Sequence, residues 1–155
     1  MVETSRGIRS RELLAVGDGI RELSLAGFRP LDLFAKIVRF ADKAVLLRLE
    51  DDGFQLRLSG QVIRETFPEV RGDKFGIAKH LSLDELAQTD FVVWLDRKGR
   101  EASEGSDHLN DSQVFEVRGR QVLVEGVFIP LRQKDDTRIP VQVLVIIEFP
   151  QGLRA

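Results

Sequence analysis

The side chains in this sequence able to do chemistry are few, and their spacing excludes more than it offers. There is no cysteine, so disulfides, thiolate metal sites, iron–sulfur clusters and cysteine nucleophiles are ruled out. Of the two histidines, His108 sits in Asp107-His108-Leu109-Asn110-Asp111, which superficially offers metal-type side chains. No second histidine is nearby and the stretch reads as a polar loop, so no metal is expected there. Ser59-Gly60 has ordinary turn chemistry and no Gly-x-Ser-x-Gly elbow exists, which removes the argument for a Ser-His-Asp triad. The glycines of "AVGDGIRELSLAG" follow no strand and lack a Walker lysine, so they do not make a phosphate loop. No residue is assigned a catalytic role.

Two residues keep a functional reading beside a structural one. Arg57 alternates out of the apolar row Phe54-Leu56-Leu58. Inside a pocket its guanidinium would hold a carboxylate through a bidentate pair; on a sheet it would bridge to Glu50 or Glu148, the ordinary role. Trp94, the only tryptophan, lines a pocket with Phe67 and Phe91 or, more ordinarily, fills the core.

The elements that must position these residues follow from periodicity. Leu13, Val16, Ile20 and Leu23 form one stripe of an amphipathic helix over residues 10–25, weakened by Gly17 and Gly19 at about 1 kcal/mol each. Pro30 opens a second helix, 30–42, burying Leu31, Phe34, Ile37, Val38 and Ala41. The period then changes to two, and residues 45–59 read as a β-hairpin about Asp51-Asp52-Gly53. The turn acids are hairpin chemistry rather than a metal loop. "QVIRETFPEV" gives a short helix stopped before Pro68. Residues 69–81 are expected as loops with a helical turn, followed by a helix capped by Ser82 and Glu85 and carrying Leu83, Leu86, Ala87, Phe91 and Trp94. "FVVWLDRKGR" fits strand and turn as well. Residues 96–111 read as an exposed loop. The last third is an antiparallel meander with a turn at Arg118-Gly119 and a closing strand apolar on both faces, hence central and covered on both sides.

At 155 residues with 43% apolar and 31% charged side chains, the composition is that of a single globular domain. Net charge is −2, without the basic stripe of a nucleic-acid binder. No signal-type core or membrane-length apolar run is present, so no membrane association is expected and the cytoplasm is the expected compartment.

The element order and the stretch "LRLEDDGFQLRLSGQVIRETFPEVRGDKF" resemble a bacterial, chiefly alphaproteobacterial, PAS-like family. Phe54, Arg57, Leu58, Gly60, Phe67, Gly72, Asp73 and Lys74 carry the likeness, together with "VFIPLRQKDDTRIPVQVLVIIEF". It covers roughly residues 27–149. The resemblance implies an α+β fold: a five-stranded antiparallel sheet of order 2-1-5-4-3, helices over one face and an N-terminal helix on the other. The implied organisation is a cap over 1–26, the PAS-like domain over 27–150 and a tail over 151–155.

A PAS domain senses a small molecule or a partner protein and signals through dimer contacts, so a sensor or adaptor working through an unidentified signalling protein is the expected function. Arg57, Phe67, His80 and Trp94 are the expected ligand-binding residues. Leu13, Val16, Ile20 and Leu23 are the expected homodimer contact. Cysteine-linked flavin is excluded; haem, which needs an axial histidine, is not expected because His80 falls in an apparent turn. The competing class is a small enzyme or ligand carrier using a cavity between curved sheet and helices.

Overall fold

The computed structural model describes residues 15, 38–50, 53–70, 77–83, 86–105, 107–131 and 141–152, and for residues 39 and 77–82 the backbone alone. Its frame is an antiparallel sheet. The strands are β1 (Ala44–Glu50), β2 (Gly53–Ser59), β3 (Ile77–Ser82), β4 (Leu109–Val117), β5 (Arg120–Leu131) and β6 (Gln142–Glu148). They lie in the order β3-β2-β1-β6-β5-β4. Counted without β3, this is the 2-1-5-4-3 order the sequence suggests. The correction is β3 itself, a sixth strand where a loop with a helical turn is expected. It pairs with β2 from Gln55↔Ser82 to Leu58↔Ile77, which puts His80 in a strand rather than a turn.

β6 is central because both its faces are apolar. Val143, Val145 and Ile147 pack with α1 (Gln61–Thr66) and α2 (Asp90–Glu104) in the larger core cluster, whereas Leu144 and Ile146 join Phe40, Ala44, Val127, Ile129 and Leu131 on the other face. Residues 1–14, which include Leu13, and residues 16–37, which include Val16, Ile20 and Leu23, lie outside the described residues. The end of the expected 30–42 helix is a 3-10 turn, Val38–Lys43. At three residues per turn, positions i and i+3 eclipse. Val38 and Ala41 therefore share an exposed side, while Phe40 is the buried residue, the reverse of the expected helical face.

The hairpin β1–β2 also departs from strict alternation. Its register runs Leu46↔Leu58 but Leu47↔Leu56, so Arg57 is the extra residue of a bulge. A one-residue shift exchanges faces. Leu58 consequently leaves the Phe54-Leu56 row and is 37% exposed. Ser59 takes the inner place, opposite Val45, and its hydroxyl donates to the Val70 carbonyl at 2.6 Å. The next residue, Gly60, lies so close to the Ala41 carbonyl and to Asp42 that any Cβ would strike their backbone. This contact lets α1 start against the 3-10 turn.

Helix α2 begins at Thr89, not Ser82, which ends β3. The Thr89 hydroxyl accepts from the Val92 N–H at 3.4 Å and donates to Glu69 Oε2 at 2.5 Å, and Asp90 places an acid in the first turn. The helix then continues to Glu104, through most of the stretch expected as loop. Its buried positions are Phe91, Val92, Trp94, Leu95, Lys98, Gly99, Ala102 and Ser103, an unbroken stripe at helical spacing. Asp96 and Arg100 form an i,i+4 ion pair on the outside at 3.1 Å. β4 starts at Leu109, inside the same expected loop, and turns into β5 through Arg118 (φ 52°) and Gly119 (φ 78°). Two consecutive positive φ angles are the type I′ geometry that suits strand twist. No helix of the described residues is long and apolar enough to cross a membrane.

Candidate functional site

The site grows out of one cross-strand pair. Asp111 on β4 faces Gly126 on β5. With no side chain at 126, the Trp94 indole lies over the backbone there; a Cβ on Gly126 would come within 2.7 Å of the indole ring. So seated, Trp94 donates its Nε1–H to Asp111 Oδ2 at 2.7 Å. Asp111 is 1% exposed, and its second oxygen, Oδ1, is buried without a hydrogen bond from any described residue. A buried, unmet acceptor costs about 1–3 kcal/mol.

Beside this carboxylate is a cavity of about 350 Å³ lined by Arg97, Lys98, Asp111 and Gln113. Strand alternation brings Asp111 and Gln113 to the helix side of β4, with Phe115 next in the row and in the core. Helix period brings Lys98 one turn beyond Trp94 on the buried stripe, where it is 6% exposed. Its Nζ lies 3.2 Å from Glu101 Oε2, a carboxylate that is itself more than half exposed. Arg97, on the exposed side, makes no ion pair with a described residue, and no described ion pair joins Lys98 to Asp111. The cavity thus has one buried anion and two cations on its walls, with the amide of Gln113 between donor and acceptor roles. The arrangement can bind a small polar solute through charge-assisted hydrogen bonds.

Next to the cavity the helix–sheet interface is closed by aromatic rings. Phe67 stacks on Phe91 with centroids 3.7 Å apart, and Phe91 meets Phe115 edge-on at 5.6 Å. Trp94 meets Phe115 and Phe128 at 5.4 and 5.0 Å. Of the four expected ligand residues, Phe67 and Trp94 therefore share this packed cluster. Arg57 lies in the β2 bulge, separated from β4 by β1, β6 and β5. Neither ordinary partner reaches it: Glu50 meets Arg48 Nε at 2.9 Å and Glu148 meets Lys43 Nζ at 2.6 Å. His80, on β3, sits at the sheet edge opposite β4. Arg57, Phe67 and Trp94 are not among the described residues lining the cavity. His108 precedes β4, half-buried, with Nδ1 3.1 Å from Asp107 Oδ1.

Lys98 and Asp111 escaped the sequence reading because 96–111 reads as loop; Gln113 opens an expected strand and was not singled out. Two signals were present. Ala102 continues the Phe91-Leu95 stripe through position 98, and Asp111, Gln113, Phe115 and Val117 recur at period two. A lysine and an aspartate at core positions of two adjacent elements are the kind of pair that marks a site. No family model, no curated protein and no solved structure matches the chain.

Proposed function

We propose that the chain is a PAS-type sensor and adaptor of the cytoplasm, taking a small polar solute between α2 and β4 and signalling through contacts with another protein. The observation that carries the reading is the strand order, which without β3 is 2-1-5-4-3, with α1 and α2 on one face. That is the layout the PAS resemblance implies. The aromatic packing of Phe67, Phe91, Trp94, Phe115 and Phe128 supports the adaptor side, since a filled interior moves the open volume to the α2–β4 margin. A homodimer through Leu13, Val16, Ile20 and Leu23 belongs to the same proposal, supported by the sequence stripe alone.

The second reading, a carrier or small enzyme, draws on one observation: a buried carboxylate and a buried lysine line the same cavity. Such a protein would bind its solute without capturing a signalling protein. Photo-crosslinking in cells separates the two, with the reactive residue at Val93 or Val114, which are 42% and 51% exposed. The proposal expects one recurrent signalling protein joined through at least one of these positions. Cross-links only to further copies of this chain, or none while the protein is abundant, contradict the adaptor function.

A further inference from the structure

We infer that β4 joins two copies of this chain edge to edge, antiparallel, about a two-fold axis at Val114; the inference goes beyond the sensor reading and holds for a carrier equally. β4 ends the sheet, with no described strand beyond it. The hairpin fixes which of its main-chain groups face outward. Val117 and Arg120 flank the two-residue turn at Arg118-Gly119 and pair with each other, so theirs is the hydrogen-bonded pair that closes the turn. Bonded and non-bonded pairs alternate along an antiparallel ladder. Phe115, Gln113 and Asp111 therefore bond to β5, while the N–H and C=O groups of Ser112, Val114 and Glu116 point away from it.

Such an edge is normally protected by shortness, lysine, proline or a bulge. β4 has none of these. It is nine residues long without lysine or proline, and its register with β5 runs unbroken from Leu109↔Phe128 to Val117↔Arg120. β3, at the other edge, has six residues and meets β2 through a register shift. Val114, 51% exposed, is the most exposed large apolar side chain among the described residues.

The occupant is a second copy because the strand is complementary to itself. Pairing about Val114 sets it against the partner's Val114, and Ser112 against the partner's Glu116, once on each side of the axis. Only pairings that oppose these residues use the outward groups, so a shift of one residue is excluded. Glu116 is the strand's one exposed charge. It meets a hydroxyl donor across the axis, and the two Glu116 carboxylates stay four residues apart, about 14 Å along the strands. The contact is isologous, as a closed dimer requires. Val93, on the outer side of α2, remains open to the signalling protein.

The chain has no cysteine, so each single-cysteine variant carries one thiol. Val114→Cys brings two thiols together at a Cα separation of about 5.5 Å, within disulfide range. Gln113→Cys and Val93→Cys serve as controls, since residue 113 lies two residues out of register with its own copy, about 8 Å away. Full-length protein should be a dimer or larger by light scattering at micromolar concentration. Val114→Cys should form the disulfide-linked dimer at least about tenfold faster than either control. Adding Ser112→Pro, which removes an outward N–H and no bond to β5, should slow that linkage about tenfold or more. If the proline variant does not fold, the three single-cysteine variants decide alone. A monomer, equal linkage at 113 or 93, or linkage unchanged by Ser112→Pro overturns the inference. Photo-crosslinking of Val114 to a signalling protein, with no disulfide in Val114→Cys, overturns the second copy as occupant and leaves the adaptor function standing.

Discussion

One helix and one strand make two kinds of contact within a few residues of each other. Phe91 and Trp94 of α2 meet Phe115 of β4 in an aromatic contact whose three rings are 0–2% exposed. Beyond Trp94 along the same helix, Arg97 and Lys98 meet Asp111 and Gln113 across an open cavity. The first contact satisfies every group it buries. The second leaves a carboxylate oxygen unmet and keeps a lysine where the helical stripe calls for an aliphatic residue. Packing explains the aromatic contact. It does not explain the polar one, because replacing buried charges by apolar groups of similar volume is often neutral or stabilising. Groups held at such a cost point to binding.

Trp94 joins the two regions, and its removal gives the sharpest break. Trp94→Ala should cost about 3–5 kcal/mol, through the cavity left among the rings of Phe91, Phe115 and Phe128, read as the shift of the urea unfolding midpoint. A cost below about 1 kcal/mol would mean the aromatic cluster is not the packed unit described. Gly126→Ala tests the seat of the indole. Its Cβ would lie 2.7 Å from the ring, so overpacking should cost about 1–3 kcal/mol and move the tryptophan fluorescence maximum. An unchanged spectrum would show that Trp94 does not rest on that glycine.

Trp94→Phe separates packing from hydrogen bonding. It keeps a ring but strips Asp111 of its only described donor, at about 1–3 kcal/mol, and this penalty should fall in an Asp111→Leu background, where no carboxylate is left unmet. Equal penalties in both backgrounds would assign the loss to ring volume. The smallest effect belongs to the outer face of α2. Arg100→Ala removes an exposed pair with Asp96 and should change stability by less than about 1 kcal/mol. A larger loss would shift weight to the contact of Arg100 over the Phe54 ring, 5.9 Å from its centroid.

The sequence made the aromatic region far more legible than the polar one. Phe91 and Trp94 announce themselves by helical spacing, and Val143 to Ile147 mark a central strand by being apolar on both faces. Three local conflicts hid the rest. Ser82 with Glu85 mimics a helix start, while the chain uses Thr89 tied to Glu69, a contact twenty residues away. The run Asp96-Arg97-Lys98-Gly99-Arg100 carries turn-like composition, but its helix is held by the Asp96–Arg100 pair and by Gly99, which fits against Phe54 and Leu47. The bulge at Arg57 depends on how β2 pairs with β1, so alternation alone left Leu58 on the wrong face. Lys98 and Asp111 were invisible as a pair because only tertiary packing brings them to one cavity.

The central claim is that the polar groups of the cavity serve binding rather than stability. Urea unfolding of the double variant Lys98→Met/Asp111→Asn tests it most directly, since both replacements keep volume and the asparagine still accepts from Trp94. Stability within about 1 kcal/mol of the parent chain, or above it, is the predicted result. A loss of more than about 2 kcal/mol would contradict the account, because it would make the charged pair part of what holds α2 to β4.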